Sequence, residues 1–454
     1  QLRVSQMKQF KIKDNCLKKK EDFYMVSRLV EQVADKTLQQ LECEGIFIFP
    51  ETVKDSEDIT KDQMVLQSVN DKYRSGNVMG FIGMGDERFT IESRFSNGKE
   101  DYFFQYLLER VLEVPNIVNL DTEANQNNKL YNLLMFLFPH YLRAAMRKGL
   151  YKAYIRKEYN DGNVRGTIDV ARHIKKNIPF TGKIAYYQRE YNYDNYLMEL
   201  VRHTIEYMKS KSYGNKLMNT IKDEANLVIE ATPEYNASDR RRIIEANQRN
   251  VVRHAFFHEY RALQQLCILI LRNEKHQIGL GTKRIYGILF DGAWLWEEYI
   301  NLLIGEMFFH PMNKGGQGAQ WLFAGNTGLI YPDFISKNQN ERIIADAKYK
   351  PVENIGNKDY LQVLAYMLRF DAKKGYYLYP ENQNRNSLEL RVNSGVSFEK
   401  NIVPREDMKV IKHGLLIPDK VSNYEEFVQS IRQSEKKFVE YFCFNYNSMD
   451  LFDQ

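Results

Sequence analysis

Residues 329–335 are Leu-Ile-Tyr-Pro-Asp-Phe-Ile, and residues 342–349 are Arg-Ile-Ile-Ala-Asp-Ala-Lys-Tyr. The segment between them, residues 336–341, is wholly polar: Ser-Lys-Asn-Gln-Asn-Glu. Two apolar runs that flank a short polar segment are typical of a β-hairpin. We therefore predict two antiparallel strands joined by a turn, and the fold and chemistry expected of the C-terminal part follow from this hairpin.

Three charged side chains are expected to meet in the hairpin. If the turn is centred between Gln339 and Asn340, Asp333 lies directly opposite Asp346, with Cβ atoms about 5 Å apart. Side chains two residues apart on a strand share a face, so Lys348 lies beside Asp346. A surface charge cluster is the alternative, but Asp346 stands in an otherwise apolar strand, where an acidic residue is unusual.

Two opposed carboxylates repel each other and therefore favour a bound cation. Their hard oxygen ligands suit Mg²⁺, for which Mn²⁺ can substitute. A lysine beside them can hold or deprotonate an attacking water, or stabilise the charge that develops on a reacting phosphate. The hairpin thus predicts a metal site formed by Asp333 and Asp346, with Lys348 as a catalytic residue.

The same residues resemble a known nuclease signature. Pro332-Asp333, twelve intervening residues and Asp346-Ala-Lys348 are similar to the PD-(D/E)xK motif. The resemblance implies an α/β C-terminal domain of the restriction-endonuclease type. It also implies an acidic helix residue that completes the metal site, and Glu297 or Glu298 occupies that place in the helix expected from Trp294 to Met307. Glu297 is preferred, and a solvated glutamate is the alternative for each.

A downstream helix extends the resemblance. The segment Asp359-Tyr-Leu-Gln-Val-Leu-Ala-Tyr366 looks like the core helix of this superfamily, whose glutamine faces the active site. Gln362 would take that role. A solvent-facing residue is the alternative, although the neighbouring apolar residues predict that Gln362 lies near the buried face of the helix: Leu361, Leu364, Ala365 and Leu368.

Other segments are similar to the McrC family, the nuclease subunits of modification-dependent restriction systems. They are Asp346-Ala-Lys-Tyr-Lys350, Gly149-Leu150, Val164-Arg-Gly-Thr-Ile168, Glu190-Tyr191 and Asp194-Asn-Tyr-Leu197. Thr90-Ile-Glu-Ser-Arg-Phe95 and Asp101-Tyr-Phe-Phe104 resemble the LlaJI-type branch. Many relatives have Arg-Pro-Asp where this chain has Tyr331-Pro-Asp, a departure that is not expected to abolish metal binding.

The McrC resemblance implies a specific function. Such proteins cut double-stranded DNA only when assembled with a hexameric AAA+ GTPase of the McrB type, and their N-terminal region enters the ring and stimulates hydrolysis. The chain has no GxxxxGK[ST] loop, so it is not expected to be the NTPase itself. A self-sufficient homodimeric restriction endonuclease and a non-catalytic adaptor on a nuclease fold are the alternatives.

The order of helical and strand patterns along the chain predicts a mixed α/β protein with three regions. Residues 1–145 combine helical and strand patterns and would bind the partner. Residues 146–275 are basic and mainly helical, and residues 276–454 form the nuclease domain. Predicted elements in the first two regions include a helix over 24–41, a strand over 45–49, a strand over 88–95 and helices over 101–114, 130–146, 195–211 and 251–272.

The middle region contains a basic stretch with interleaved tyrosines. Residues 140–176 carry ten Lys and Arg and three Asp and Glu, a surplus of seven positive charges. Basic charge combined with aromatic rings suits a nucleic-acid backbone. A solvated helix face with tyrosines in the core is the alternative. The candidate DNA-binding residues are Arg143, Arg147, Lys148, Lys152, Arg156 and Lys157.

Composition excludes several other classes of protein. The four cysteines are scattered without CxxC spacing, which argues against a disulfide framework and a Cys-rich zinc site. The longest apolar runs hold six residues, whereas a membrane span needs about 20. We therefore expect a cytoplasmic protein with no membrane partner. The net charge of +5 permits a nucleic-acid partner but does not require one.

Overall fold

The computed structural model describes residues 8–44, 46–49, 63–96, 98, 100–112, 129–211, 214–273, 285–311, 319–395 and 402–447. The chain divides into two compact units. The first combines residues 1–118 with residues 279–454, and the second comprises residues 119–278. Helices and strands occur in both, which confirms the predicted mixed fold class.

The first unit contains a five-stranded sheet whose strands come from both ends of the chain. In spatial order these are β1 (Lys8–Lys13), β7 (Glu87–Glu92), β6 (Val78–Met84), β11 (Tyr286–Asp291) and β3 (Ile46–Phe49). Strand β11 pairs antiparallel with β6 and parallel with β3. The sheet therefore joins strands from the predicted regions 1–145 and 276–454. Pairing between strands so far apart in the chain leaves no local pattern in the sequence, so the sequence did not predict it. The functional roles assigned to the three regions stay predictions.

Short elements complete the N-terminal part. They are β2 (Leu17–Lys19), a 3₁₀ helix (Lys20–Val26), α1 (Ser27–Val33), α2 (Leu38–Glu44), β4 (Leu66–Val69) and β5 (Lys72–Ser75). The single helix predicted over 24–41 is therefore wrong. Helix α1 ends before Asp35, which has a left-handed φ of 59° that a right-handed helix cannot contain. The Asp35 carboxylate accepts hydrogen bonds from the Ser68 amide at 2.7 Å and the Ser68 hydroxyl at 2.6 Å.

The C-terminal part contains a six-stranded sheet. In spatial order its strands are β12 (Phe308–Phe309), β15 (Phe334–Ser336), β16 (Ile343–Ala347), β17 (Lys374–Glu381), β19 (Val403–Leu416) and β18 (Leu388–Ser394). Strand β17 pairs parallel with both β16 and β19. Besides α1 and α2, the described part of this unit contains the α-helices α3 (Tyr102–Val111), α11 (Gly292–Ile304), α12 (Asn357–Arg369) and α13 (Tyr424–Asn447). Helix α12 connects β16 to β17, as a parallel pair requires.

The predicted hairpin has the expected register but a shorter first strand. Phe334 pairs with Ala345 and Ile335 pairs with Ile344, so the same register places Asp333 opposite Asp346. The single strand predicted over 329–335 is wrong, because Tyr331, Pro332 and Asp333 separate β14 (Thr327–Ile330) from β15. Proline lacks an amide donor and interrupts a ladder. Strand β14 pairs instead with β13 (Gln320–Phe323).

The second unit has a helical part and a small sheet. Its helices are α4 (Lys129–Met146), α5 (Val170–Asn177), α6 (Tyr196–Lys209), α7 (Gly214–Thr220), α8 (Lys222–Ala231), α9 (Arg240–Arg249) and α10 (Glu259–Asn273). Strands β8 (Ala153–Asp161), β10 (Ile184–Asn192) and β9 (Thr167–Ile168) form the sheet in that order. The prediction that the basic stretch is mainly helical is therefore wrong for residues 153–161. They form β8, whose exposed and less exposed side chains alternate with period two. The helix predicted from residue 251 begins only at Glu259.

Candidate active site

The two aspartates of the hairpin lie at the end of β15 and β16. Asp333 directly precedes β15, and its Oδ2 accepts a hydrogen bond from the Ala347 amide at 2.8 Å. Asp346 is on β16 and its side chain is only 1% exposed. The alternation of side chains along β16 directs Asp346 and Lys348 to the same side. The short loop and the local register therefore bring these three residues together, as predicted.

Lys348 is held between a carboxylate and an amide. Its Nζ lies 2.7 Å from Asp346 Oδ2 and donates a hydrogen bond to Gln362 Oε1 at 3.2 Å. Gln362 in turn donates from Nε2 to the Tyr366 hydroxyl at 2.7 Å. The hydrogen bond to Tyr366 thus orients the side-chain amide of Gln362, and the amide oxygen accepts from the Lys348 ammonium. The Lys348 side chain is 17% exposed, so the ammonium is accessible without being fully solvated.

Gln362 reaches the site for a different reason than the one predicted. The buried positions of α12 are Asp359, Val363, Tyr366 and Met367. Leu361 and Leu368, which were expected on the buried face, are 70% and 77% exposed. Gln362 is half-buried at the border between the two faces, which lets its side chain reach Lys348.

The acidic residues of α11 approach the same place. Glu297 is buried, and its charge acts on Asp333. The pKa of Asp333 lies well above its ordinary value because its carboxyl group is buried and because Asp346 and Glu297 repel its negative charge. Lys348 and the Ala347 amide act in the opposite direction. The site therefore concentrates negative charge where water is scarce, an arrangement that a bound cation would stabilise.

The donor chemistry of the site fits a hard divalent cation. The candidate ligands Asp333, Asp346 and Glu297 all supply carboxylate oxygens. With the side chains as they stand, no group of three or more His, Cys, Asp or Glu residues within the described ranges is arranged to hold a metal ion. Mg²⁺ commonly takes one or two protein carboxylates and keeps several waters, so the opposed pair of aspartates suffices for such a site.

His310 is a residue that the sequence analysis missed. It follows β12, and its Nδ1–H donates to the Asp333 carbonyl at 2.9 Å. Its Nε2 lies 3.6 Å from Glu298 Oε1 and 3.8 Å from Glu297 Oε1. Burial alone would lower the pKa of His310, but Glu298, Asp333 and Glu297 together raise it. Because 23 residues separate His310 from Asp333, no local spacing pointed to it.

Asp359 and Lys350 form a second contact near the site that the sequence did not predict. The Lys350 ammonium donates to both carboxylate oxygens of Asp359 at 2.8 Å. Asp359 Oδ2 also accepts from the Gly356 amide at the start of α12, and Asp359 Oδ1 lies 4.0 Å from Lys348 Nζ. Although burial alone would raise it, the pKa of Asp359 lies below its ordinary value because of these donors. The pair ties α12, which carries Gln362, to the residues that follow β16.

The structure separates the candidate DNA-binding residues into two groups. Three are engaged with acidic residues of their own unit. Lys148 lies 2.8 Å from Glu259, Lys157 lies 2.8 Å from Glu234, and Arg143 lies 3.9 Å from Glu224. These pairs satisfy the cations within the protein.

The other three candidates are differently placed. Arg147 and Arg156 are exposed, and Lys152 is half-buried. Lys152 lies over the rings of Tyr191 and Tyr193, and Arg156 lies over the ring of Tyr187. The basic stretch is therefore neither a uniformly charged surface nor a helix face, and only part of it remains open to a phosphate backbone.

A family model for the McrBC 5-methylcytosine restriction system component matches residues 73–380. The chain belongs to this family. The matched residues include Asp333, Asp346, Lys348, Glu297 and Gln362. A comparison with curated proteins finds no match.

Two solved structures from Thermococcus gammatolerans resemble this McrBC component. One is a half-complex from a tetradecameric assembly of McrB AAA+ hexamers with bound McrC, at 16% identity and a TM-score of 0.47, covering 95% of this chain and 98% of that chain. The other is the McrBC complex, at 17% identity and a TM-score of 0.30, covering 65% and 87%. None of the helices that the structure describes has the length and apolar character needed to cross a membrane.

Proposed function

We propose that this McrBC component is the McrC-type nuclease subunit, a Mg²⁺-dependent endodeoxyribonuclease that cuts double-stranded DNA. The observation that carries the proposal is the convergence of Asp333, Asp346 and Lys348 beside Glu297 and Gln362. Buried carboxylates next to a lysine are costly to keep in a protein unless they serve a purpose. Groups with displaced pKa values that converge in one place are typical of active sites.

Each residue has a distinct role in the proposed reaction. Asp333 and Asp346, with Glu297, would hold Mg²⁺, which supplies Lewis-acid stabilisation and an activated water when bound. Lys348 would orient the attacking water and offset the negative charge that develops on the scissile phosphate. Gln362 would keep the Lys348 ammonium directed at the reacting atoms, and the Asp346 carboxylate 2.7 Å away would help to hold it in place.

The proposed partner is a hexameric AAA+ GTPase of the McrB type. Two observations support it: the chain belongs to a family of McrBC components, and its sequence has no GxxxxGK[ST] loop of its own. In this proposal, nucleotide hydrolysis is supplied by another chain. The base modification would be recognised by that partner, and this chain would supply the hydrolytic centre.

Asp346→Asn tests both parts of the proposal. The substitution removes a metal-binding charge but keeps the size of the side chain. With GTP, the McrB-like protein of the same host and duplex DNA containing 5-methylcytosine, the variant is expected to cut nothing. It should still raise the partner's GTP hydrolysis as wild type does, since Asp346 lies in the candidate active site and not on the surface of the protein. Asp371→Asn, at an exposed position between α12 and β17, is the matched control and should cut normally.

Each other outcome selects a different function. Cleavage by wild type without nucleotide or partner would favour the self-sufficient homodimer. A wild type that binds no Mn²⁺ in calorimetry would favour the non-catalytic adaptor. Normal cleavage by Asp346→Asn would overturn the assignment of the site itself.

A further inference from the structure

One face of the β8–β10 pair is open and aromatic. The antiparallel register places Tyr154 opposite Tyr191 and Arg156 opposite Arg189. Directly opposed residues share a face, and so do residues two apart, which adds Tyr187 to the same side. Tyr154 is 64% exposed and Tyr191 is 50% exposed, unusually open for rings of this size.

Cations alternate with the rings on this face. Lys152 Nζ lies 5.1 Å from the ring centre of Tyr191 and 4.7 Å from that of Tyr193. The guanidinium of Arg189 lies 5.1 Å from the Tyr154 ring. Arg156 lies only 3.3 Å from the ring centre of Tyr187, the distance of a stacked pair. We call these seven residues the tyrosine face: Lys152, Tyr154, Arg156, Tyr187, Arg189, Tyr191 and Tyr193.

The far end of the same sheet face is closed by helix α5. Arg172 of this helix forms an ion pair with Glu158, and Asn177 Nδ2 donates to Asn160 Oδ1 at 2.7 Å. The acidic residue of β8 nearest to the open end is thus already paired. None of the seven residues of the tyrosine face is acidic, so the open end offers three cations and four rings together.

We infer that the tyrosine face binds single-stranded DNA. Exposed rings on a sheet stack on unpaired bases, and interleaved cations pair with the phosphates between them. Successive side chains on one face of a strand are about 6.8 Å apart, a spacing that an extended strand of nucleotides can follow. A duplex offers only phosphates here, because its bases are already stacked on one another. The inference rests on the proposed function only in taking DNA as the nucleic acid.

Fluorescence anisotropy of the full-length protein tests the inference. The probes are a labelled single strand of about 20 nucleotides and the duplex of the same sequence, both in EDTA so that no cleavage occurs. We expect tighter binding of the single strand. Tyr154→Ala should weaken single-strand binding about tenfold and change duplex binding by less than about twofold, because only the unpaired base stacks. Tyr154→Phe keeps the ring and should bind as wild type does.

Lys157→Gln supplies the matched control for Arg156→Gln. Lys157 is the next residue on the same strand, but it lies on the opposite face and is paired with Glu234. Arg156→Gln should weaken single-strand binding, whereas Lys157→Gln should not. Equal effects of the two substitutions, a duplex bound as tightly as the single strand, or no binding of either probe would each overturn the inference. Single-strand binding that persists in a protein without nuclease activity would count against the proposed function alone.

Discussion

The carboxylate–lysine site and the tyrosine face use charge in opposite ways. At the site, the carboxylates of Asp333 and Asp346 are opposed in a place with little water, and the pKa of Asp333 rises as a result. On the tyrosine face, Lys152 lies over the ring of Tyr193 and Arg156 lies over the ring of Tyr187, while the neighbouring Glu158 is paired with Arg172. Charges that are buried together create a demand for a small cation, whereas charges on an open surface suit a long polyanion.

The difference predicts how each region responds to substitution. A single change at the buried site removes a group that acts on the reacting atoms, so its effect should be large and insensitive to salt. A change on the exposed face removes one of several phosphate contacts, so its effect should be small and salt-dependent.

The largest effect is expected for Lys348→Ala. Loss of the ammonium should reduce single-turnover DNA cleavage by about 10²–10⁴-fold with the required partner present. The variant should stay folded because the Lys348 side chain is partly exposed and contributes little to the apolar core. Lys373→Ala, at a lysine of the same unit whose side chain is 56% exposed, is the control and should cut at the wild-type rate. Wild-type cleavage by Lys348→Ala would remove Lys348 from the mechanism.

A smaller loss is expected for Gln362→Ala. A hydrogen bond to a charged group contributes about 1.5–3 kcal/mol, so the rate constant for cleavage should fall about 10–100-fold while DNA affinity is retained. The measurement is single-turnover cleavage at saturating protein, together with the DNA dissociation constant. Leu361→Ala, at the exposed neighbouring residue, should leave both unchanged. A loss of affinity with an unchanged rate constant would show that Gln362 contacts DNA instead of orienting Lys348.

Neutralising the exposed cations should have a still smaller effect. Lys152→Gln combined with Arg156→Gln should weaken DNA binding about tenfold and lower the slope of log affinity against log salt by about 0.7–0.9 per lost phosphate contact. Lys148→Gln combined with Lys157→Gln removes the same charge from residues held by Glu259 and Glu234. This second pair should leave the salt slope unchanged. Equal slopes for the two double variants would mean that the net charge, and not the open face, governs binding.

The smallest effect is expected for His413, a buried histidine that belongs to neither the candidate active site nor the tyrosine face. Burial lowers the pKa of His413 to about 4, and its two ring nitrogens are bonded to the Ser387 hydroxyl and the Phe438 carbonyl. The unfolded chain therefore takes up a proton before the folded chain does. The contribution of His413 to stability should be fully present well above pH 6.5 and should fall by about 1 kcal/mol between pH 7.5 and pH 6.

Urea unfolding at the two pH values measures this loss. His413→Phe cannot titrate and should show a smaller difference between pH 7.5 and pH 6 than wild type. A variant with the same pH dependence as wild type would assign the effect to other groups. Neither the site nor the tyrosine face is expected to change in this variant.

Local pattern was sufficient for the elements whose contacts are close in sequence. Strand β7, helix α6 and helix α11 occur where the periodicity placed them. Pattern was insufficient where a backbone conformation or a distant partner decided the outcome. Asp35 ends a helix that the apolar spacing extended, and β8 forms a sheet because β10 lies about 30 residues further along the chain and pairs with it.

The sequence by itself determined the opposition of Asp333 and Asp346, because the register of a hairpin depends on its own turn and on a few neighbouring residues. Only the tertiary structure decided which other groups reach that pair. Glu297 and His310 lie 36 and 23 residues before Asp333, and Gln362 arrives on a crossover helix. The tyrosine face likewise required two strands to pair before its rings could share one side. Burial and pairing between distant segments give these residues their chemistry, and neither is written in the spacing of the residues themselves.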